Sequence, residues 1–183
     1  MTSKSKKILG IIVAALIVII AGICGMASLQ PATFRYERSM VMNAPAAEIF
    51  AQVNELQKWA AWSPWDDLDP NMKMTFEGPA AGVGAVTRWD GNAQAGKGAM
   101  TITESVPDQK VTYRLDFEKP FKSTALSDMT FEPQGSSGTL VKWSMYGDNT
   151  FPGKIISLFI DCEKMMAEQY DKGLTSLKAV VEQ

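Results

Sequence analysis

Groups that could perform catalysis are few in this chain. It contains no histidine, which removes the commonest general base and the commonest zinc ligand. Cys162 falls on the apolar side of a predicted helix, where a thiol behaves as a small apolar side chain and not as a nucleophile. Proton transfer would therefore fall to Tyr113 or to an acid such as Glu104, provided that burial moves its pKa towards neutrality. No pair of such groups is placed convincingly, so the sequence predicts no catalytic constellation and leaves the question of an enzyme open.

Two further clusters lack the details that a binding motif needs. Asp66, Asp67 and Asp69 have neither the regular oxygen ligands nor the closing Glu of a calcium loop. The glycine-rich stretch 91–98 is not followed by a helix, which makes it a hairpin connection and not a phosphate loop. The net charge of −2 includes three lysines before residue 30, so the rest of the chain is more acidic. We therefore predict no metal, no cofactor and no nucleic-acid partner.

An uncharged apolar run near the N-terminus is long enough to cross a membrane. It covers the 22 residues 8–29. As a helix it would measure about 33 Å, against a bilayer core of about 30 Å. The alternative is a cleaved signal peptide, for which residues 25–27 offer a cleavage site, although its apolar region usually has only about 7–15 residues. We predict that residues 1–30 are a membrane anchor, or else a signal peptide, and that residues 31–183 are one folded domain.

The charges beside this run predict its orientation. Lys4, Lys6 and Lys7 precede it, and Arg35 and Arg38 follow it. Because positive charge favours the cytoplasmic side, the modest excess before the run predicts a cytoplasmic N-terminus. The domain of this single-pass membrane protein would then be extracytoplasmic, which in a bacterial cell means in the periplasm or on the outer surface of the membrane.

The rest of the chain has the pattern of an α+β domain. Val111, Tyr113, Leu115 and Phe117 alternate with polar residues, which is typical of an antiparallel strand with one buried face. The predicted strands are 33–42, 72–77, 83–89, 97–105, 110–118, 124–132 and 139–147, with short helices at 45–53 and 55–61. A last segment, 152–181, has apolar residues at steps of three and four and predicts one long helix. A curved sheet around this helix would bury both apolar faces.

Four segments give the chain a resemblance to a known superfamily. They are Asn-Ala-Pro-Ala-Ala-Glu-Ile-Phe at 43–50, Trp-Ala-Ala-Trp-Ser-Pro-Trp at 59–65, Gly-Lys-Gly-Ala-Met-Thr-Ile at 96–102 and Phe-Pro-Gly-Lys at 151–154. With the order of the elements, they make residues 33–183 resemble the START-like (SRPBCC) superfamily, the polyketide cyclase/dehydrase and lipid transport family, in a membrane-anchored form. The resemblance implies the helix-grip, Bet v 1-like fold: a seven-stranded curved antiparallel sheet around a long C-terminal helix. It implies a ligand cavity between sheet and helix but no catalytic motif.

In that fold the apolar strand faces and the helix stripe would line one cavity. The residues expected there are Trp89, Met100, Ile102, Tyr113, Leu115, Phe117, Met129, Phe131, Val141, Trp143, Met145, Phe159, Cys162, Met166 and Tyr170. The alternative for any one of them is a packed core, although the four methionines suit a cavity that adapts to varied apolar guests. Trp59, Trp62 and Trp65 are expected at the cavity mouth, as a portal, as a contact with the membrane interface or simply as a seal.

The sequence favours a binding function. We expect a hydrophobic small molecule such as a lipid or isoprenoid to be bound, or transported, at the membrane surface, with Tyr113, Ser127 and Tyr170 as the polar groups that orient it. The partners are then this ligand and the membrane. Two alternatives stay open: a cyclase or dehydratase acting on a hydrophobic substrate, and an anchored interaction module without a ligand.

Overall fold

A computed structural model describes residues 3–135 and 138–183, with side chains from Lys7 onwards. The strands are β1 (Thr33–Met42), β2 (Lys73–Glu77), β3 (Val86–Asp90), β4 (Lys97–Val106), β5 (Lys110–Lys119), β6 (Ser123–Gln134) and β7 (Gly138–Asp148). The α-helices are α1 (Ser3–Ser28), α2 (Ala46–Val53), α3 (Phe151–Ile156) and α4 (Cys162–Val181), and two 3₁₀ helices cover Leu56–Ala61 and Asp66–Leu68. The chain divides into two compact units, residues 1–32 with 149–161 and residues 33–148 with 162–183.

The larger unit is a seven-stranded antiparallel sheet in the order β1-β7-β6-β5-β4-β3-β2, with α4 packed on one face. We call that face the inner face. In β5, Val111 and Tyr113 are fully buried on the inner face, while on the other face Thr112 is 6% exposed and Arg114 is exposed. The predicted α+β fold, seven antiparallel strands with a C-terminal helix, is confirmed.

Tight turns shorten one predicted strand. Residues 83–85 were expected to open the strand 83–89, but Val83 is 59% exposed and β3 begins at Val86. Gly82 and Gly84 flank Val83 with φ angles of +78° and +89°, in a region of backbone space that glycine enters without strain. The backbone therefore turns at residues 82–84, and although Gly84 and Ala85 bond to Ile102 of β4, the regular strand starts only at Val86.

The single long helix predicted for residues 152–181 is wrong. Two helices are present, because α3 ends at Ile156 and the chain turns through residues 157–161 before α4 begins. The Ser157 hydroxyl donates to the carbonyl of Lys154 at 2.9 Å, a local bond that competes with the helical pattern. Asp161 occupies the position just before α4, where Asp favours a new helix start.

This break changes the place of Phe159. The apolar spacing predicted that it faces the sheet, but it lies outside α4 and is 70% exposed. It belongs to the smaller unit, in which the short helix α3 is in contact with α1. In the described part of the chain, α1 is the one helix long and apolar enough to cross a membrane, over Lys7–Ser28 with a mean hydropathy of 3.0.

Candidate functional site

One part of the inner face is completely packed. Residues from β4 to β7 meet α4 there, and none of their side chains is more than 8% exposed. This packed half consists of Ile102, Tyr113, Met129, Phe131, Val141, Trp143, Met166 and Tyr170. Every one of these was expected to line a ligand cavity, and the structure places them in the hydrophobic core of the larger unit.

Aromatic rings fill the space between sheet and helix in the packed half. The Trp143 ring stacks on Tyr170 with 4.3 Å between centroids and 9° between planes. Trp62 meets Trp143 edge-on at 5.6 Å, and Trp59 meets Tyr113 edge-on at 5.2 Å. Trp59 and Trp62 are 7% and 2% exposed, so both seal the interior in this structure and do not border an opening.

The other part of the inner face is partly exposed to solvent. Cross-strand pairing joins Trp89 to Gly98 and Gly98 to Phe117, and in the next row it joins Met100 to Leu115. Trp89, Leu115 and Phe117 are partly exposed, as are Met145 of β7 and Trp65 before β2, whereas Met100 is 7% exposed. We call Trp65, Trp89, Leu115, Phe117 and Met145 the open half. Each of these apolar side chains is partly covered by neighbouring residues and partly exposed to solvent.

The open half is preformed by local contacts. The six-membered ring of Trp89 lies over Gly98, where a Cβ would come within 2.6 Å of the ring. The indole N–H of Trp89 donates to the carbonyl of Ala95 at 3.1 Å, and the Phe117 ring meets the indole edge-on at 5.9 Å. The large apolar surface of Trp89 is thus held in one orientation without any ligand.

A small polar group lies at the boundary of the two halves. The Trp143 indole N–H donates to the Ser127 hydroxyl oxygen at 3.1 Å, and the Ser127 and Tyr170 hydroxyls are hydrogen-bonded to each other. Ser127 pairs directly with Met145 across β6 and β7. Burial raises the pKa of Tyr170 far above its ordinary value, so its hydroxyl stays protonated and can donate a hydrogen bond. Two of the three polar residues expected to orient a ligand are therefore neighbours.

The third of these residues, Tyr113, has a structural role. Its hydroxyl donates to the carbonyl of Val53 at 2.9 Å, a carbonyl that also accepts the Trp59 indole N–H at 3.1 Å. The side chain is 0% exposed, and burial raises its pKa well above the ordinary value. Tyr113 thus ties α2 and the first 3₁₀ helix to the sheet and offers no free group to a ligand.

Glu104 does not have the properties of a general acid. Its carboxylate accepts hydrogen bonds from Lys110 at 2.8 Å and from the Thr112 hydroxyl at 3.1 Å, on the exposed side of the β4–β5 pair. These bonds and the charge of Lys110 lower its pKa. Since acid catalysis near neutral pH needs a raised carboxyl pKa, the expectation that Glu104 transfers protons has no support in its surroundings.

The acidic cluster before β2 stabilises its own loop. The Asp69 carboxylate accepts the backbone N–H of Asn71 at 2.9 Å and that of Asn92 at 2.7 Å. Asp67 forms an ion pair with Lys172 of α4 at 2.6 Å. Within residues 3–135 and 138–183, no group of three Cys, Asp or Glu side chains is arranged to hold a metal ion. These carboxylates fasten the loop to the hairpin and to α4.

A cleft of about 340 Å³ opens between β1 and α4, beside the boundary of the two halves. Tyr170 forms part of its wall, and Tyr36 pairs across the strands with Met145 of the open half. Arg38 lies 3.8 Å from Asp171, and burial, with Cys162 and Glu163 nearby, raises the pKa of Tyr36. The cleft is lined by Arg35, Tyr36, Glu37, Arg38, Glu163, Ala167 and Tyr170.

Apart from Tyr170, the sequence interpretation did not assign these cleft residues to a site. A usable signal was present, because the alternation of Phe34, Tyr36 and Met40 along β1 places Arg38 on the same face. The register agrees, since Arg38 pairs with Trp143 and Tyr36 with Met145. An arginine in an otherwise apolar strand face indicates the polar rim of a cleft.

Known structures share this fold at low sequence identity. Protein CV1439 from Chromobacterium violaceum is 19% identical, with 84% of this chain and 99% of that chain covered at a TM-score of 0.54. The hypothetical protein jhp0584 from Helicobacter pylori is 10% identical, with 81% of this chain and 88% of that chain covered at a TM-score of 0.62. Ara h 8.0201 is 14% identical, with 81% and 97% covered at 0.54. At such identities the likeness extends to the fold alone.

Sequence comparison places the chain in a family. No curated protein matches it significantly. The family model for polyketide cyclase/dehydrase and lipid transport proteins matches residues 33–182, which include all seven strands and α2 to α4. The protein therefore belongs to the polyketide cyclase/dehydrase and lipid transport family of the START-like (SRPBCC) superfamily.

Proposed function

We propose that the protein binds a hydrophobic small molecule, such as a lipid or isoprenoid, on the open half of the inner face, at the surface of the membrane that α1 spans. The observation that carries this proposal is the division of one sheet face into a packed half and an open half. Apolar side chains that a fold gathers on a concave face but leaves partly exposed are typical of ligand sites.

The cleft between β1 and α4 suggests how such a ligand would be oriented. An apolar body would contact Leu115, Phe117 and Met145, and a polar end would lie in the cleft near Tyr36 and Arg38. The cleft volume of about 340 Å³ is at the lower end of the range of small-molecule sites. A ligand with one polar end and an extended apolar body matches this arrangement better than a compact polar one.

Hydrogen bonding, and not proton transfer, is the chemistry that the boundary offers. The hydroxyls of Ser127 and Tyr170 and the indole of Trp143 already bond to one another. Burial raises the pKa of Tyr170, so the phenol is a weak acid and its phenolate is not populated near neutral pH, while the hydroxyl remains able to donate a hydrogen bond. This favours binding over the cyclase or dehydratase alternative.

The membrane location rests on α1 and on a short connection. Lys7–Ser28 has the length and apolarity of a span, and only residues 29–32 separate α1 from β1. An extended chain of four residues reaches about 14 Å. A membrane-spanning α1 would therefore keep the domain at the bilayer surface.

Photo-crosslinking in membranes tests this function on the full chain. Membranes that contain the protein are incubated with a diazirine-bearing fatty acid or isoprenoid alcohol, irradiated, and the labelled peptides are identified by mass spectrometry. We expect labelling of the β5 segment with Leu115 and Phe117 and of the β7 segment with Met145. Labelling of α1 serves as the internal reference, because a helix in the bilayer meets the probe whether or not the domain binds it.

A pair of matched variants separates binding from contact by chance. Met145→Trp adds bulk to the open half and should reduce labelling of the β5 segment several-fold relative to α1. Leu126→Trp makes a similar change on the opposite face of the neighbouring strand, where Leu126 is 36% exposed and pairs with Tyr146, and should leave the labelling unchanged. Labelling confined to α1 in the parent chain, or equal labelling in both variants, would contradict the proposal.

A further inference from the structure

We infer that residues 149–161 form an interfacial element whose apolar side chains insert into the bilayer beside the anchor helix. The inference rests on the membrane insertion of α1, which is part of the proposed function. It adds a second point of contact between the same compact unit and the same membrane.

The first observation is the density of exposed apolar side chains in this segment. Phe151, Phe159 and Ile160 are 46%, 70% and 49% exposed, within ten residues of chain. In the larger unit, exposed apolar residues of this size are fewer per length of chain, and the densest group is the pair Met74 and Phe76 of β2, at 37% and 44% exposed. Phe151 begins α3, and Phe159 and Ile160 lie in the turn that follows it, and such a group of exposed apolar side chains is typical of segments that lie in the membrane interface.

The second observation is the depth at which the segment meets α1. Within Lys7–Ser28, every side chain is exposed except those of Ile23, Cys24 and Ala27, which lie on one face of the final turns. Since α3 is in contact with α1 and these three are the shielded positions of Lys7–Ser28, we assign the contact to them. They lie about 7–13 Å from the midpoint of the apolar run, measured along the helix, and the hydrocarbon half-thickness is about 15 Å.

The third observation is that the segment is folded and fixed at its start. The backbone N–H of Asn149 donates to the carbonyl of Ala32 at 2.8 Å, just beyond the end of α1. The Thr150 hydroxyl accepts the backbone N–H of Gly153 at 3.4 Å and caps α3. The segment is thus held next to the outer end of the span by contacts within its own unit.

These observations favour lipid over a protein partner. Because α3 contacts the last turns of α1, insertion of α1 would bring α3 to the depth of the bilayer. Lipid would then cover Phe159 and Ile160, and no separate protein would be needed to do so. Lys154 is half-buried and carries the one basic charge of the segment, which suits the headgroup layer.

Spin-label accessibility in nanodiscs tests the inference on the full chain. The background carries Cys24→Ala and Cys162→Ala, and single labels are attached at Phe159→Cys or Phe151→Cys. Collision rates are measured with oxygen, which concentrates in lipid, and with a water-soluble nickel chelate. We expect the oxygen-to-nickel ratio at 159 and at 151 to exceed the ratio of an aqueous reference several-fold.

Two reference labels make each outcome decisive. Val83→Cys reports an exposed apolar position in the larger unit, 59% exposed, and Val13→Cys reports the middle of α1, 46% exposed. If α1 is inserted, the oxygen-to-nickel ratio at Val13→Cys will be high, as expected in lipid. If the ratios at 159 and 151 are then as low as the ratio at Val83→Cys, the inference is overturned and the anchor stands. An aqueous ratio at Val13 would overturn the anchor and the inference with it. Protection from both reagents with dipolar broadening at 159 would mean that a second copy covers the segment, which also overturns the inference.

Discussion

Gly173 of α4 provides a direct test of whether the packed half is a core or a cavity. A Cβ at this position would lie 2.8 Å from Cζ3 of Trp143 and 3.0 Å from Cδ of Pro64. Neither neighbour has room to move, because Pro64 is fully buried and the Trp143 ring is stacked on Tyr170 at 4.3 Å. Gly173→Ala therefore has two opposing effects on the free energy of unfolding, one from the helix and one from the close contacts.

The magnitudes of these two effects decide the expected sign. Replacing Gly by Ala inside a helix gains about 1 kcal/mol of intrinsic helix stability. Forcing an extra methyl group into a closely packed core costs typically about 1–3 kcal/mol. Since both contacts are closer than ordinary Cβ contacts, we take the upper part of this cost, about 2–3 kcal/mol, and expect Gly173→Ala to lower the free energy of unfolding by about 1–2 kcal/mol. In a cavity the same change would stabilise the protein by about 1 kcal/mol.

Equilibrium unfolding in urea measures this difference for residues 31–183. Tryptophan fluorescence follows the aromatic cluster, and far-UV circular dichroism follows the sheet and helix. The intrinsic Gly-to-Ala term is measured in the same helix by comparing Glu168→Gly with Glu168→Ala, at an exposed position of α4. In a Trp143→Phe background the cost of Gly173→Ala should fall by at least about 0.5 kcal/mol, because the nearest ring atom is removed. Stabilisation by Gly173→Ala, or no coupling to Trp143, would refute the description of this half as packed.

Three further predictions concern the domain boundary, the orientation and the pH dependence. Residues 31–183 should express as a soluble monomer that unfolds cooperatively, since the larger unit begins at Thr33, and aggregation of this fragment would contradict the boundary. A reporter that is active only in the periplasm should be active when fused after Gln183. Activity of a reporter that works only in the cytoplasm, fused at the same position, would contradict the predicted orientation. The lowered pKa of Glu104, caused by its hydrogen bond to Lys110, makes its contribution to stability complete above the ordinary pKa of 4.5. That contribution is lost as the pH falls through the lowered value, so Glu104→Gln should flatten the acid limb of a stability–pH curve, and an unchanged limb would contradict this role.

The strands could be predicted because their pattern is local. β1 has the predicted bounds, and β5, predicted at 110–118, is observed at Lys110–Lys119 and so differs at its end by one residue. In β5 each apolar residue from Val111 to Phe117 alternates with a polar one, and in β1 the alternation runs from Phe34 to Glu37, so the buried face fixes the register. The strand predicted at 83–89 was less accurate, because the turn through Gly82 and Gly84 depends on positive φ angles that hydrophobic periodicity does not indicate.

The helix break could not be derived from periodicity. Ile155, Phe159 and Cys162 continue the spacing of the α4 stripe, so the sequence pattern runs unbroken through the turn at residues 157–161. Periodicity measures which side chains would share a face if the helix continued. It contains no information on whether a serine side chain and a following Asp give the backbone a better alternative.

The division of the inner face was likewise beyond the sequence, because it depends on how closely α4 approaches the sheet. Alternation predicts that Trp143 and Met145 lie on the same face and does not distinguish how deeply each is buried. In the structure, however, Trp143 is 2% exposed and Met145 is partly exposed. The difference arises where Gly173 lets α4 come close enough for Pro64 and the Trp143 ring to close the space between helix and sheet. If the open half binds an apolar ligand as we propose, that ligand would replace solvent on partly exposed side chains, and the buried core of the packed half would stay unchanged.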